Sequence, residues 1–337
     1  MQKAKKRLFS VTAVLLAVLV ALTALLPTAG AAQAATMRSK YTGKSYTHNA
    51  RFNKLEVLNG VDISAWQEKV NWKKIKNDGI DFAILRAGYG KNASQEDAYF
   101  ATNFKNATAA GLPVGIYWYS YAKSVADVEK EARLCLQVLG SRTLDLPVFY
   151  DLEESSQLNK GKAFCTQLVE HFCSIIAAAG HTPGLYMSRS PLLDYIEQET
   201  RGRYALWVAE YGSKTCKYDG DYLMWQYADN GKVAGVNGHT DMDFLYGNKN
   251  SLPGSATLLK SKTYTGKAIT PAPTVTGEDG QPLKADKDYT LTYINNKAVG
   301  MATITAQGLG TYTGRRWYYR FKILPAKVTG LTLESRS

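Results

Sequence analysis

The segment Val148-Phe-Tyr-Asp151-Leu-Glu153-Glu154 runs an apolar stretch straight into carboxylates. Asp151 and Glu153 lie two positions apart, so on an extended strand their side chains point to the same side. At the C-terminal mouth of a barrel strand, that side faces the active-site cleft. A bare Asp-x-Glu at a strand end is at least as often a solvated turn, so the reading needs further acids. Asp62 ends the first apolar run, in Gly60-Val-Asp62-Ile-Ser, and Asp241 lies in the last, in His239-Thr-Asp241-Met-Asp243-Phe-Leu-Tyr-Gly247. First and last strands of a closed barrel are neighbours, so all four acids are expected to converge. Like charges crowded in a low-dielectric cleft raise at least one pKa. A carboxylic acid kept protonated near neutral pH is what a glycosidic leaving group requires. Glu153, with the longer reach, is the expected general acid. Asp151, Asp62 and Asp241 are expected beside it in the cleft.

Aromatic residues recur at the ends of the same runs: Trp66, Tyr89, Tyr119, Tyr186, Trp207, Tyr211 and Trp225-Gln226-Tyr227. Singly, each is more often a core residue than a ligand contact. Around a carboxylate cluster they suit the apolar faces of sugar rings, and Tyr119, Tyr186, Trp207, Trp225 and Gln226 are the expected substrate contacts. No G-x-S-x-G elbow, phosphate loop or Cys–His signature competes. The four histidines (His48, His171, His181, His239) have no metal-ligand spacing and no C-x-x-C occurs, so neither a metal nor a cofactor is expected.

The elements that must position these residues alternate along the chain. Strand-like runs fall at 60–63, 82–87, 113–119, 146–152, 184–187, 205–209, 222–227 and 240–246, with helical patterns at 72–78, 98–110, 124–139 and 162–179. In the last helix, Phe164, Leu168, Phe172, Ile175 and Ile176 form an apolar stripe. Strand–helix alternation predicts βαβ units and a parallel sheet. Eight strands within residues 55–249 fall short of the roughly 250 residues of a full (β/α)8 barrel. The expectation is an α/β fold, an irregular, abbreviated TIM-like barrel lacking some outer helices. After a linker at 250–255 the texture changes to period-2 strands at 289–294, 302–306 and 317–323, read as a small all-β sandwich over 256–325. Residues 326–337 read as a linker or the start of a further module.

With 45% hydrophobic and 11% aromatic residues the chain is too rich in core material to be disordered. Its 41 Lys and Arg against 29 Asp and Glu give +12, a total that invites a nucleic-acid reading. The distribution argues otherwise. Residues 1–34 hold 4 basic and no acidic residues, 35–54 hold 5 and none, 55–249 hold 20 and 24, and 251–337 hold 12 and 5. An acidic centre with basic flanks does not suit a nucleic-acid binder. Residues 1–34, with Lys3, Lys5, Lys6 and Arg7 before an apolar run and Ala32-Gln33-Ala34 after it, read as a secretory signal peptide; the alternative is a membrane anchor. Residues 35–54 read as a flexible basic leader. Cys165 and Cys173 lie eight apart in a helical pattern, about 12 Å along its axis, too far to pair with each other. With Cys135 and Cys216, that leaves two full pairings or free thiols.

Residues 57–248 resemble the glycoside hydrolase family 25 muramidases, the Chalaropsis-type lysozymes. The resemblance is carried by Gly60-Val-Asp-Ile-Ser-Ala-Trp66, Ala83-Ile-Leu-Arg-Ala-Gly-Tyr89, Pro113-Val-Gly-Ile-Tyr-Trp-Tyr119, Tyr150-Asp-Leu-Glu153, Leu223-Met-Trp-Gln-Tyr227 and Thr240-Asp-Met-Asp-Phe-Leu-Tyr-Gly247. It implies a short (β/α) barrel that cuts the β-1,4 bond between N-acetylmuramic acid and N-acetylglucosamine in peptidoglycan; with the signal-peptide pattern, the expected enzyme is secreted, extracellular or wall-associated. By that match Glu153 is the acid and Asp151 its neighbour, as nucleophile or as orienter of the substrate acetamido group, with Asp62 and Asp241 completing the site; a monomer is expected. Asp243 departs from the family's usual Asn and is given no catalytic role. Residues 256–324 resemble bacterial immunoglobulin-like modules, through Tyr264-Thr-Gly-Lys-Ala-Ile-Thr-Pro271, Lys287-Asp-Tyr-Thr-Leu-Thr-Tyr293 and Gly310-Thr-Tyr-Thr-Gly314; anionic wall polymers are a possible partner there. The alternatives are a glycosidase for another N-acetylated glycan and a non-catalytic wall-binding protein.

Overall fold

The computed structural model describes residues 34–249, 252–254, 256–277 and 280–326. The segment read as a signal peptide lies outside the described residues except for residue 34, as do residues 327–337. Among the described residues no helix is long and apolar enough to cross a membrane.

Eight strands close a barrel: β3 (Glu56–Ile63), β4 (Phe82–Tyr89), β5 (Val114–Tyr119), β6 (Val148–Asp151), β7 (Pro183–Ser188), β8 (Ala205–Ala209), β9 (Met224–Gly231) and β10 (Thr240–Gly247), with β10 closing on β3. Their outward residues, among them Val61, Leu85, Trp118, Tyr150 and Leu206, join the large apolar cluster beneath the helices. Their inward residues, among them Phe82, Phe149, Trp207 and Leu245, fill the lumen. This two-sided burial makes the strands read as near-continuous apolar runs. The surrounding helices are α1 (Trp72–Asn77), α2 (Phe100–Ala109), α3 (Val125–Leu139), α4 (Ser155–Leu158), α5 (Lys162–Ala178), α6 (Arg189–Tyr195) and α7 (Gln198–Arg203). The Ser124 side chain caps α3 by accepting from Asp127 N, and Gly140, at φ 58°, ends it. After β7 the helices are short, and none joins β8 to β9.

The sheet is not wholly parallel, which corrects the expectation of βαβ units throughout. β3 to β9 run parallel, whereas β10 runs antiparallel to both β9 and β3. The eight residues between β9 and β10 are too few for a parallel crossover, so the chain reverses in a hairpin. The reversal has a functional consequence. Asp241 sits near the beginning of β10, and only an inverted strand brings that end to the mouth where β3 and β6 finish.

The supposed flexible leader is folded, a second correction. β1 (Thr36–Arg38) and β2 (Ser45–Thr47) pair as a small ribbon, with Tyr41, Tyr46, His48 and Phe52 buried against the barrel. Phe52 stacks on Tyr246 with ring centroids 4.0 Å apart, and Tyr46 meets Tyr227 edge-on at 4.5 Å. Charge and missing periodicity hid these four anchors among polar residues.

The C-terminal region is a single five-stranded sheet rather than the expected sandwich. β13 (Tyr289–Ile294), β14 (Gly300–Gly308) and β15 (Arg316–Leu324) form an antiparallel meander, and β11 (Thr257–Leu258) and β12 (Lys262–Thr263) join β15 in parallel. Val275, Ile269 and Leu283 cover its apolar face from irregular chain. Pro271, Pro273 and Pro282 in that chain lack the N–H that a second ladder needs. The sheet docks on the barrel: Asn295 and Ser174 of α5 exchange two hydrogen bonds of 2.8 and 2.7 Å, and Arg320 donates to Thr182 at 3.0 Å. All four cysteines are buried free thiols.

Candidate active site

The acids converge at one end of the lumen. Asp62, last but one in β3, lies directly opposite Asp241 of β10. Asp151 ends β6, level with Tyr119 of β5 and Tyr186 of β7. Glu153 follows two residues later. Asp62 and Asp151 are buried, while Glu153 and Asp241 are half-buried and so reachable from the cleft.

Two neutral donors and a tyrosine pair organise one wall. Gln226 Nε2 donates to Asp62 Oδ2 at 2.7 Å. The amide is oriented by Tyr186, whose hydroxyl donates to Gln226 Oε1 at 2.6 Å, and by Tyr211, which donates to the same oxygen. Trp207 Nε1 donates to Asp243 Oδ1 at 2.8 Å, deep in the lumen. On the other wall Tyr119 donates to Glu154 at 2.8 Å. Arg86 is tied to Asp97 at 2.8 Å, and its charge pulls against the rise in the Asp151 pKa.

Electrostatics follow from that crowding. Burial first, then the charge of Glu153, holds Asp151 well above the usual carboxylate range. Burial and the charges of Asp241 and Asp243 raise Asp62, while the bond from Gln226 works the other way. Glu153 is raised by burial, then by Asp241 and Glu154. Asp241 is pushed up to about 6 by burial, with Asp229 adding to it. A half-buried acid with a raised pKa beside a deeply buried carboxylate has the form of a proton donor with a partner.

Of the residues expected from sequence, the structure brings Asp62, Asp151, Glu153, Asp241, Tyr119, Tyr186, Trp207 and Gln226 to the mouth or lumen. Trp225 is elsewhere. It faces outward, buried against Tyr46 and Phe244, because neighbouring strand residues point to opposite faces and Gln226 takes the lumen side. Sequence reasoning left Tyr211 and Glu154 outside the expected site. Tyr211 follows β8 at the same rim as its hydrogen-bond partner Gln226; its place at a strand end was legible, its bond to Gln226 was not. Among the described residues no group of three or more His, Cys, Asp or Glu side chains is arranged to hold a metal ion.

The profile of glycosyl hydrolases family 25 matches residues 61–236, more than half of the chain. The chain belongs to glycosyl hydrolases family 25. It is 30% identical over 206 residues to YegX of Escherichia coli O157:H7, spanning 58% of this chain and 72% of that protein. It is 26% identical over 208 residues to Lysozyme M1 of Streptomyces globisporus, spanning 56% of this chain and 68% of that protein. The crystal structure of the CTP1L endolysin superposes with a TM-score of 0.51 at 27% identity, covering 56% of this chain and 66% of that one. This family 25 chain is therefore a glycoside hydrolase of the lysozyme type. The matched span contains Asp62, Asp151 and Glu153 and stops short of β10, so Asp241 and Asp243 are placed at the site by the barrel's closure alone.

Proposed function

We propose that the chain is a secreted muramidase that hydrolyses the β-1,4 bond between N-acetylmuramic acid and N-acetylglucosamine in peptidoglycan, with Glu153 as general acid. The observation that carries the reading is the pairing of half-buried Glu153, its pKa raised, with fully desolvated Asp151 at the end of β6. The lysozyme name of a relative supports peptidoglycan as the substrate. In the proposed step Glu153 protonates the leaving oxygen as the glycosidic bond lengthens, and the surrounding carboxylates stabilise the positive charge that grows on the sugar ring. Asp151 Oδ1 has no hydrogen-bond partner and is closed to solvent. In the proposed site that oxygen serves the substrate, either accepting the N–H of the 2-acetamido group so that its carbonyl turns toward the anomeric carbon, or attacking that carbon directly.

Digestion of purified peptidoglycan with analysis of the products tests this. New reducing ends on muramic acid are expected. Reducing ends on glucosamine alone, or freed stem-peptide amines without new reducing ends, would overturn it. Glu153→Gln should lower kcat by 100-fold or more, on the order of the 10²–10⁴ typical of a general acid, with the folded state retained. The basic C-terminal sheet is proposed to hold anionic wall polymers; its deletion should weaken pelleting with walls at low salt but not at high salt.

A further inference from the structure

The lumen contains a carboxylate that the proposed reaction does not use. Asp243, on β10, is fully buried, and its strand neighbours in register are Gln226 and Gly60. Its Oδ1 takes the hydrogen bond from Trp207, and its Oδ2 is closed to solvent and receives no donor from other side chains or backbone. Asp243 lies two residues along β10 from Asp241, the direct opposite of Asp62, and on the same face of the barrel wall, so the Asp62 carboxyl has both Asp243 and Asp241 as close carboxyl neighbours. Asp62 already has the Gln226 amide on Oδ2, and the two tyrosines on Oε1 fix that amide so that its NH₂ group faces Asp62. Each acid thus has one neutral donor from the wall behind it. Two ionised carboxylates so placed would set acceptor against acceptor where the fold closes them off from bulk solvent. One proton between them converts the clash into a short, charge-assisted hydrogen bond.

We propose that Asp243 is a positioning residue of the glycosidase site, holding Asp62 in place through a single proton that the two carboxyl groups share. The proposal rests on reading the mouth acids as that site. The groups facing the pair are consistent with a retained proton. From β3 comes Asp62 itself, from β10 Asp241, from β8 Trp207 and from β9 Gln226, while the Asp243 charge also reaches Tyr211 beyond β8 and Tyr227 of β9. Tyr117 of β5 faces Asp62 and Asp241. Arg86 of β4, on the other wall beside Tyr117 and Asp151, is committed to Asp97. Burial and this surplus of acids both favour keeping the proton.

The test is Asp243→Asn, whose amide can donate to Asp62 at every pH, with Asp243→Ala as the variant lacking any donor. In the wild-type protein the shared proton is bound in the fold to a higher pH than in the unfolded chain, so its stabilisation is present in acid and lost as pH rises through the titration of the pair. Melting temperatures of the full chain between pH 4.5 and 8.5 should show Asp243→Asn gaining on wild type as pH rises. A difference that stays constant with pH overturns the shared proton, whatever the enzyme's activity. In kcat/KM on peptidoglycan, the alkaline limb of Asp243→Asn should move up by about one pH unit or more, and Asp243→Ala should lie at least tenfold below Asp243→Asn. An unchanged or lowered limb, or equal activity of the two variants, would remove the positioning role. Absence of any new reducing end from the wild-type enzyme would instead count against the muramidase reading and leave the melting result to decide the proton.

Discussion

At the level of single residues, the site works by arranging who donates to whom. Gln226 is the pivot, because its carbonyl is held by Tyr186 and Tyr211 while its amino group holds Asp62. Gln226→Leu keeps the volume, removes the donor and strands two tyrosine hydroxyls. An unsatisfied buried group costs about 1–3 kcal/mol, so melting should shift down by that amount. If Asp62 acts in the transition state, kcat should fall tenfold for each 1.4 kcal/mol of lost positioning. A lower melting temperature with unchanged kcat would separate Asp62 from the chemistry. Sequence alone made Asp62, Asp151, Glu153 and Asp241 legible, since each ends or begins an apolar run. It did not reveal that Trp225 turns away, because the two faces of a doubly buried strand are equally apolar and give no alternation to read. Glu131 was equally hidden. It is buried on α3, bonded to Ser120, Tyr121 N and Tyr150, with a pKa raised to about 7 mainly by burial, and it pins the loop after β5 from behind.

At the level of elements, the apolar runs located all eight barrel strands and the helices corresponding to α1, α2, α3 and α5, because long buried segments carry strong periodicity. Strand direction was not legible. Only the length of the β9–β10 connection encodes it, and that length decides whether Asp241 faces the cleft. The lumen is also set by residues without side chains. A Cβ on Gly60 would come within 2.1 Å of the Phe82 ring, and one on Gly184 within 2.4 Å of the Phe149 ring. These two glycines make room for the phenylalanines beneath the layer of mouth acids. Gly60→Ala and Gly184→Ala should each destabilise the protein by about 1–3 kcal/mol through overpacking. Gly202→Ala in α7 meets nothing within 4 Å and has ordinary helical backbone, so it should stabilise by about 0.5–1 kcal/mol. Urea unfolding midpoints of the three variants would check the contrast; equal effects would show that the lumen yields more easily than its packing implies.

For the whole molecule, net charge was a poor guide and burial a good one. The basic stretch before the barrel belongs to its wall, and His48 shows how firmly. The imidazole Nδ1 bonds the Tyr246 hydroxyl at 2.9 Å, its Nε2 is closed to solvent without a partner, and the ring meets Phe244 edge-on at 4.7 Å. Burial lowers its pKa to about 4. A base depressed in the fold contributes stability that is full above its unfolded value, near 6.5, and is lost as pH falls toward 4, to the order of 3 kcal/mol at the extremes. The mouth acids have the opposite sign: Asp241, raised to about 6, contributes stability in acid that disappears as pH rises. The two slopes therefore oppose one another over the same window and flatten the protein's response to acid. His48→Asn keeps a polar group near Tyr246 and removes the titration. Its melting temperature relative to wild type should be more favourable at pH 4.5 than at pH 7.5, superimposed on a pH-independent cost from lost ring contacts. Parallel melting curves would mean that the segment detaches or hydrates before His48 takes up its proton. In that case protection of the backbone amides of Thr47 and His48, which bond to Lys214 and Ala35, should be lost in acid well before that of β3 to β10.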